Sequence, residues 1–310
     1  MESRRGLIIF PGALGDLICL LPAIRALGRR YPALAFELMA RAELARFAEH
    51  RMMVVAGHSI DRREVALLFS ERGGESNLAC NFFGQFERID CFFASAHECF
   101  CSSLRQAARR DVSFYPFRPP GLGHMAECYL RALGATASHP LRESIELLPD
   151  DLCGAQERLN ALGLEARRFV LVLPGSGSAR KNWPAENFAL LAERVQLIHP
   201  VLVVLGPAEI GLAPVFRARS LAVVSDVELS ELAGIAGLAR CFIGNDSGVS
   251  HLAAVAGACG IVIFGPTDPE RWRPLGDVKT IQKEPLQSLS LDQVLSTFTE
   301  FIQAKNTPGV

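Results

Sequence analysis

Four loops carry side chains whose types and spacing could do chemistry. In "PGALGD", Gly12 and Gly15 permit a tight turn close to a ligand, and Asp16 falls in the first turn of the following helix. Capping the helix is the plainer reading of that residue alone. In "LPGSGSARKNWPAENF", Ser176 and Gly177 offer hydroxyl and backbone donors and Lys181 a flexible positive charge, a combination suited to a diphosphate. The glycine-lysine-threonine ending of a Walker loop is absent, and a plain loop with a solvated lysine fits the same letters.

In "VVLGPAE", Glu209 follows a buried strand, where a carboxylate can accept hydrogen bonds from ribose hydroxyls; a lone glutamate in a first helical turn is otherwise unremarkable. In "FIGNDSGVSHLAAVAG", Asp246, Ser247, Gly248 and Val249 lead from a strand into a small-residue helix whose first N–H groups lack partners. His251 lies one turn in, within reach of the same ligand or bonded to a core carbonyl. Thr267 and Asp268 of "GPTDPERW" follow the next strand.

The elements that must position these residues alternate. "GLIIF" reads as a strand before a helix to about Arg30; "LAFELM", "MMVVA" and "VALLF" read as further strands, and His124–Leu133 as a helix. Residues 70–120 give no sustained period. From Arg168 the series restarts with "RFVLVLP", "VLVVLG", "LAVVS", "CFIG" and "GIVIFG" as strands separated by helices, and Leu289–Ala304 is amphipathic. Strand–helix alternation means α/β architecture with parallel sheets, so two Rossmann-like domains are expected to face each other. Their expected bounds are 1–150 for the first domain, 151–167 for an interdomain segment, 168–288 for the second domain and 289–310 for a terminal helix and tail.

Composition narrows the function classes. A chain of 310 residues, 49% hydrophobic and 21% charged, has material for two cores, and a formal charge of -1 gives no bulk attraction for nucleic acid. No apolar run reaches the ~20 residues of a membrane span, and no secretory signal opens the chain, so a cytoplasmic location is expected. Nine cysteines form no CxxC pair. "HECFC" aligns His97, Cys99 and Cys101 without a second half, so no metal is expected there. The chain has 28 arginines, given 32 basic residues of which four are lysines, and Lys181 is the first lysine to occur. An ammonium chosen inside a glycine-serine loop, in a chain that otherwise uses guanidinium, suggests function.

The order and spacing of the loops resemble glycosyltransferase family 9, the ADP-heptose:lipopolysaccharide heptosyltransferases. The similarity is carried by Pro174–Pro184, Cys241–His251 and Phe264–Asp268, with "GALGDLICLLPAIRAL" and, more weakly, "HMAECYLRALG" in the first half. The resemblance implies a GT-B fold with the nucleotide-sugar donor bound mainly by the second domain. It implies Asp16 as catalytic base, Ser176, Gly177 and Lys181 on the diphosphate, and Glu209 on the ribose. Asp246, Ser247, Gly248, Val249 and His251 would surround the diphosphate and donor sugar. No cofactor is implied beyond an ADP-heptose donor, and the acceptor would be a lipid-linked glycan reached peripherally at the inner face of the cytoplasmic membrane.

No DxD occurs in the chain, so an ammonium and a helix N-terminus would stand in for a metal. The acceptor side departs from the family: "PGAL" is apolar, the family's aspartate-glutamine-glycine element is not recognisable, and "CNFFGQFERIDCFF" stands in its region. Seven arginines, among them Arg105, Arg110 and Arg118, are available to an acidic acceptor. A nucleotide-sugar epimerase or hydrolase, and a non-catalytic nucleotide-sugar-binding protein, are the competing readings.

Overall fold

The computed structural model describes residues 4–137 and 141–306. Contacts divide the chain into two units, 1–139 and 140–310, each with its own sheet. The first unit holds β1 (Arg4–Ile9), β2 (Leu34–Ala40), β3 (Gly57–Ser59), β4 (Arg88–Cys91) and β5 (Asp111–Phe114) in the order β3-β2-β1-β4-β5. Every pairing is parallel, with Leu7 opposite Glu37 on one side and Ile89 on the other. Leu7, Ile8, Ile9 and Phe10 are wholly buried, as a central strand covered on both faces requires. Leu7, Ile9, Met39 and Ile89 share one cluster with Phe83, Phe86, Phe100 and Leu104 from the helices Asn77–Phe83 and Glu98–Ala108 and the turn between them and β4.

The second unit holds β6 (Val170–Leu173), β7 (Val201–Leu205), β8 (Ala222–Ser225), β9 (Cys241–Asn245), β10 (Gly260–Phe264) and β11 (Val278–Gln282), ordered β11-β10-β9-β6-β7-β8. All pairs are again parallel. The terminal helix Leu291–Asn306 buries Val294, Phe298 and Ile302 in this unit's core, beside the helix Ala185–Gln196. The expected tail beyond it lies outside the described residues.

The expected α/β architecture of two parallel-sheet domains and a terminal helix is the one found, with local differences. The chain divides near 139 rather than at 150: Glu143 and Ile145 donate backbone bonds to Leu275 and Val255, and the helix Pro149–Ala161 packs on Leu229–Leu238. "VALLF" is not a strand but lies largely in the helix Arg63–Leu67, because Val65 and Leu68, three apart, both enter the core. "MMVVA" runs beside β2, with Val55 N bonded to Phe36 O, yet Met53 turns to φ 59° and only an isolated bridge forms. Finally, β11 is a strand that the alternation did not reveal; its residues are at most half-buried, as an edge position allows.

Each sheet has one point where the strand order reverses: β1 is flanked by β2 and β4, and β6 by β7 and β9. Loops leaving such strands diverge, and the crevice between them is where open α/β sheets bind ligands.

Candidate active site

In the second unit the reversal lies between β6 and β9, and the loops after these strands are tied by side chains. Lys181 Nζ donates to Asp246 Oδ2 at 2.7 Å, and Thr267 Oγ1 donates to the same oxygen at 2.6 Å. Asp246 is 4% exposed, so its charge is compensated by an ammonium and a hydroxyl rather than by water. One carboxylate therefore joins loops from β6, β9 and β10. Lys181 spends one of three donors on it and stays about a third exposed, leaving the ammonium available to an anion.

The residue before Asp246 organises the backbone. Asn245 is wholly buried; its Nδ2 donates to Pro174 O at 2.7 Å and its Oδ1 accepts from Trp183 N at 3.1 Å. Both ends of the glycine-serine loop are thus fixed to β9. Within the loop, Ser176 Oγ accepts from Ser178 N and donates to Ser178 O, a tight turn that leaves Gly177 on the surface. Trp183 is buried as well, and its Nε1 donates to Leu289 O at the approach to the terminal helix.

Ser247 caps the helix Gly248–Val255, its Oγ accepting from Ser250 N, while Ser250 Oγ donates to Asn245 O at 2.7 Å. Gly244 is glycine because a Cβ there would stand 2.6 Å from Ser250 Oγ. Gly248 and Val249, half-buried, present the first turn of this helix, and His251 is buried one turn further in.

Glu209 comes from the 3-10 turn Pro207–Leu212 after β7. Its carboxyl is seated against two glycines: a Cβ on Gly175 would lie 2.4 Å from Cδ, and one on Gly206 2.8 Å from Oε2. Burial pushes its pKa above the usual carboxylate value, against backbone N–H groups of Gly206, Glu209 and Ser176 that favour the charge. Glu209 and the glycine-serine loop are therefore one packed unit.

In the first unit Asp16 sits in the first turn of the helix Leu14–Arg30, after β1 at the reversal point of its sheet. It does not cap the helix: the cap position is Ala13, with no side-chain bond. Its carboxylate, 7% exposed, instead accepts from Arg118, Nε to Oδ1 at 3.1 Å and Nη2 to Oδ2 at 3.2 Å. Gly12 must lack a side chain, since a Cβ would meet the Phe10 ring at 2.3 Å and Asp16 Cβ at 2.8 Å. Phe10 in turn meets Phe117 and the buried Tyr129 edge to face. Burial and the Asp16 charge both push the Tyr129 phenol up.

The structure thus brings Ser176, Gly177, Lys181, Glu209, Asp246, Ser247, Gly248, Val249 and His251 to one edge of the second sheet, while Asp16 belongs to the first unit. Sequence reasoning missed Asn245 as the residue that fixes the loop, Gly175 and Gly206 as the seat of Glu209, and Arg118 as the partner of Asp16. Asn245 had a signal, a polar residue closing an apolar strand; Gly206 acts within its own turn, and Gly175 and Arg118 arise from packing between distant segments. The "HECFC" stretch opens a helix: His97 Nδ1 accepts from Phe100 N and caps Glu98–Ala108. Among the described residues no group of His, Cys, Asp and Glu is arranged to hold a metal ion.

The model of glycosyltransferase family 9 (heptosyltransferase) matches residues 93–294, a span containing every second-unit residue of the candidate site. The chain belongs to glycosyltransferase family 9. Like the heptosyltransferases of that family, it is thus a glycosyltransferase, and Asp16 lies outside the matched span. No curated protein matches the chain by sequence. Among solved structures it is similar to a family 9 glycosyl transferase from Veillonella parvula, with a TM-score of 0.80, 20% identity, and 98% and 99% of the two chains covered. It is also similar to E. coli ADP-heptose LPS heptosyltransferase II, with a TM-score of 0.77 at 16% identity over 98% and 100%. For E. coli heptosyltransferase WaaC with ADP the values are 0.68 and 18%, over 96% and 99%. At such identities the likeness is one of fold, and the fold of this family 9 chain is the GT-B fold of these heptosyltransferases.

Proposed function

We propose that the chain is an inverting, metal-independent glycosyltransferase that moves heptose from ADP-heptose onto a lipopolysaccharide core or a related surface glycan. The observation that carries this reading is the Lys181–Asp246–Thr267 knot at the reversal point of the second sheet, beside the N-terminus of the helix Gly248–Val255. A partly exposed ammonium held by a buried carboxylate, next to helix N–H groups, is suited to a diphosphate. Two similar structures are an ADP-heptose heptosyltransferase and a heptosyltransferase with ADP, which supports the adenine nucleotide and the heptose.

Inversion is a single displacement. The acceptor hydroxyl oxygen attacks the anomeric carbon, the bond to the diphosphate oxygen breaks with its electron pair going to ADP, and the hydroxyl proton passes to a base. Asp16 is that base. An aspartate is intrinsically weak (reference pKa ~3.9), so the proton moves late, as the anomeric bond breaks. Lys181, the Ser176 hydroxyl, the Gly177 N–H and the helix N-terminus offset charge developing on the leaving diphosphate. Glu209 accepts from the ribose hydroxyls, and Val249 and His251 border the donor sugar. A lipid-linked acceptor would be met peripherally at the inner face of the cytoplasmic membrane. Among the described residues no helix is long and apolar enough to cross a membrane.

Calorimetry with ADP, UDP and GDP, with and without magnesium, tests the donor assignment. ADP is expected to bind best and independently of magnesium, and Lys181→Ala to weaken it at least ~10-fold, the loss of one charge-assisted contact. A preference for UDP or GDP overturns ADP-heptose. Asp16→Asn should keep ADP affinity and lose transfer by about 10²–10⁴-fold. Near-normal turnover in that variant removes Asp16 from the mechanism.

A further inference from the structure

The contact between Arg118 and Asp16 is at odds with the work of a base. A carboxylate that accepts both arms of a guanidinium commits one acceptor position on each oxygen, two of about four, to charge-assisted bonds. A neutral hydroxyl arriving on the side that Arg118 occupies finds those positions engaged and meets a fixed positive charge. Arg118 Nη2 reaches Oδ1 as well, at 3.0 Å, so both carboxylate oxygens are held.

The two partners differ in what surrounds them. Asp16 is buried, whereas the Arg118 side chain is 53% exposed. Below the guanidinium lies the Phe117 ring, 5.2 Å from the charge to the ring centroid, which itself packs on Phe10. The segment that carries Arg118 links β5 to the helix Met125–Ala132. It continues through Pro119 and Pro120 to Gly121 at φ 135° and Gly123 at φ 84°, two positions in the region that favours glycine, with Leu122 between them 92% exposed. A buried carboxylate is thus covered from the solvent side by an arginine on an exposed loop with glycine turns.

Arg118 can leave Asp16 only if its own charge is met elsewhere, since a lone guanidinium at half exposure and a bare buried carboxylate are both unfavourable. A planar guanidinium fork is met best by another oxyanion of carboxylate or phosphate geometry. We infer that Arg118 is a positioning residue that covers Asp16 until a carboxylate or phosphate on the acceptor, close to the accepting hydroxyl, draws the guanidinium away and exposes the base. This rests on Asp16 being the base. The same exchange would limit donor hydrolysis. In that side reaction a water oxygen attacks the anomeric carbon, the carbon–diphosphate oxygen bond breaks with its pair going to ADP, and the water proton passes to Asp16.

The test is ADP release from ADP-heptose by the full chain without a glycan acceptor, at saturating donor, with and without methyl phosphate as the anionic probe. Wild type should release ADP slowly and be stimulated by methyl phosphate. Arg118→Ala should release it about ten-fold faster than wild type, about the rate equivalent of one charge-assisted bond, and ignore the probe. Arg118→Lys should restore both the low rate and part of the response. Arg118→Gln, which keeps a hydrogen-bond donor, replaces the alanine variant if that one melts early. Equal rates in wild type and the alanine or glutamine variant, with no effect of methyl phosphate on either, overturn the inference while Asp16→Asn still abolishes release. Release by Asp16→Asn at the wild-type rate instead overturns the base assignment, and the inference with it.

Discussion

Glu209 holds its proton to higher pH than an ordinary glutamate because burial opposes its charge. If the ribose hydroxyls need an ionised acceptor, ADP affinity falls as pH drops, and the fall begins at higher pH than a solvated glutamate would give. Calorimetric titration from about pH 7.5 down to about pH 5 should show that decline, and Glu209→Gln should bind more weakly and flatten it. An unchanged wild-type slope in the variant would place the titrating group elsewhere. Gly175→Ala tests the seat of the same carboxyl. The added carbon would stand 2.4 Å from Glu209 Cδ, so Glu209 must move, with an expected cost of about 1–3 kcal/mol in urea unfolding and weaker ADP binding. At this scale the sequence was readable where a residue type announced its chemistry, as with Lys181 among glycines and serines. It was not readable where a side chain is met by a partner 102 positions away, as for Asp16 and Arg118.

Secondary elements were legible wherever burial produced a continuous apolar run, as in β6, β7 and β10. They failed in the middle of the first unit, where short helices of five to seven residues leave too little sequence for a period to emerge. β2 was legible as a strand although it buries a charge. Glu37, 2% exposed, is bonded to His58 Nε2 at 2.6 Å and Arg5 Nη1 at 3.0 Å, linking β3, β2 and β1. Burial pushes its pKa up, but the His58 bond and the Arg5 charge outweigh that and hold it below the usual value. A carboxylate lowered by folding contributes stability above its unfolded pKa, and the contribution is lost as pH falls through the lower folded value. Glu37→Gln should therefore cost about 2 kcal/mol near neutral pH and progressively less in acid, read from urea midpoints across pH. A cost that stays constant with pH would show that Glu37 acts by packing alone.

Across the whole molecule, the repeated alternation made two parallel-sheet domains legible, because each buried strand followed by a covering helix leaves the same pattern. The boundary was less so: the segment after 140 adds its backbone bonds to the second unit, and nothing in its composition announces that allegiance. Separate cores predict separate melting. Calorimetric scans should resolve two transitions, with ADP raising the one belonging to the second unit by mass action. A single transition shifted as a whole by ADP would mean that the units unfold together.

Both tryptophans, Trp183 and Trp272, lie in the second unit, and the first has none. Trp183 is wholly enclosed, its backbone N–H on Asn245 and its indole on Leu289. Intrinsic emission is therefore a one-sided optical gauge. It follows the second unit and the docking of the terminal helix, and it is blind to the melting of the half that carries Asp16. Phenylalanine-rich and tryptophan-free, that half needs its tyrosines, or an introduced indole, before it can be watched by light.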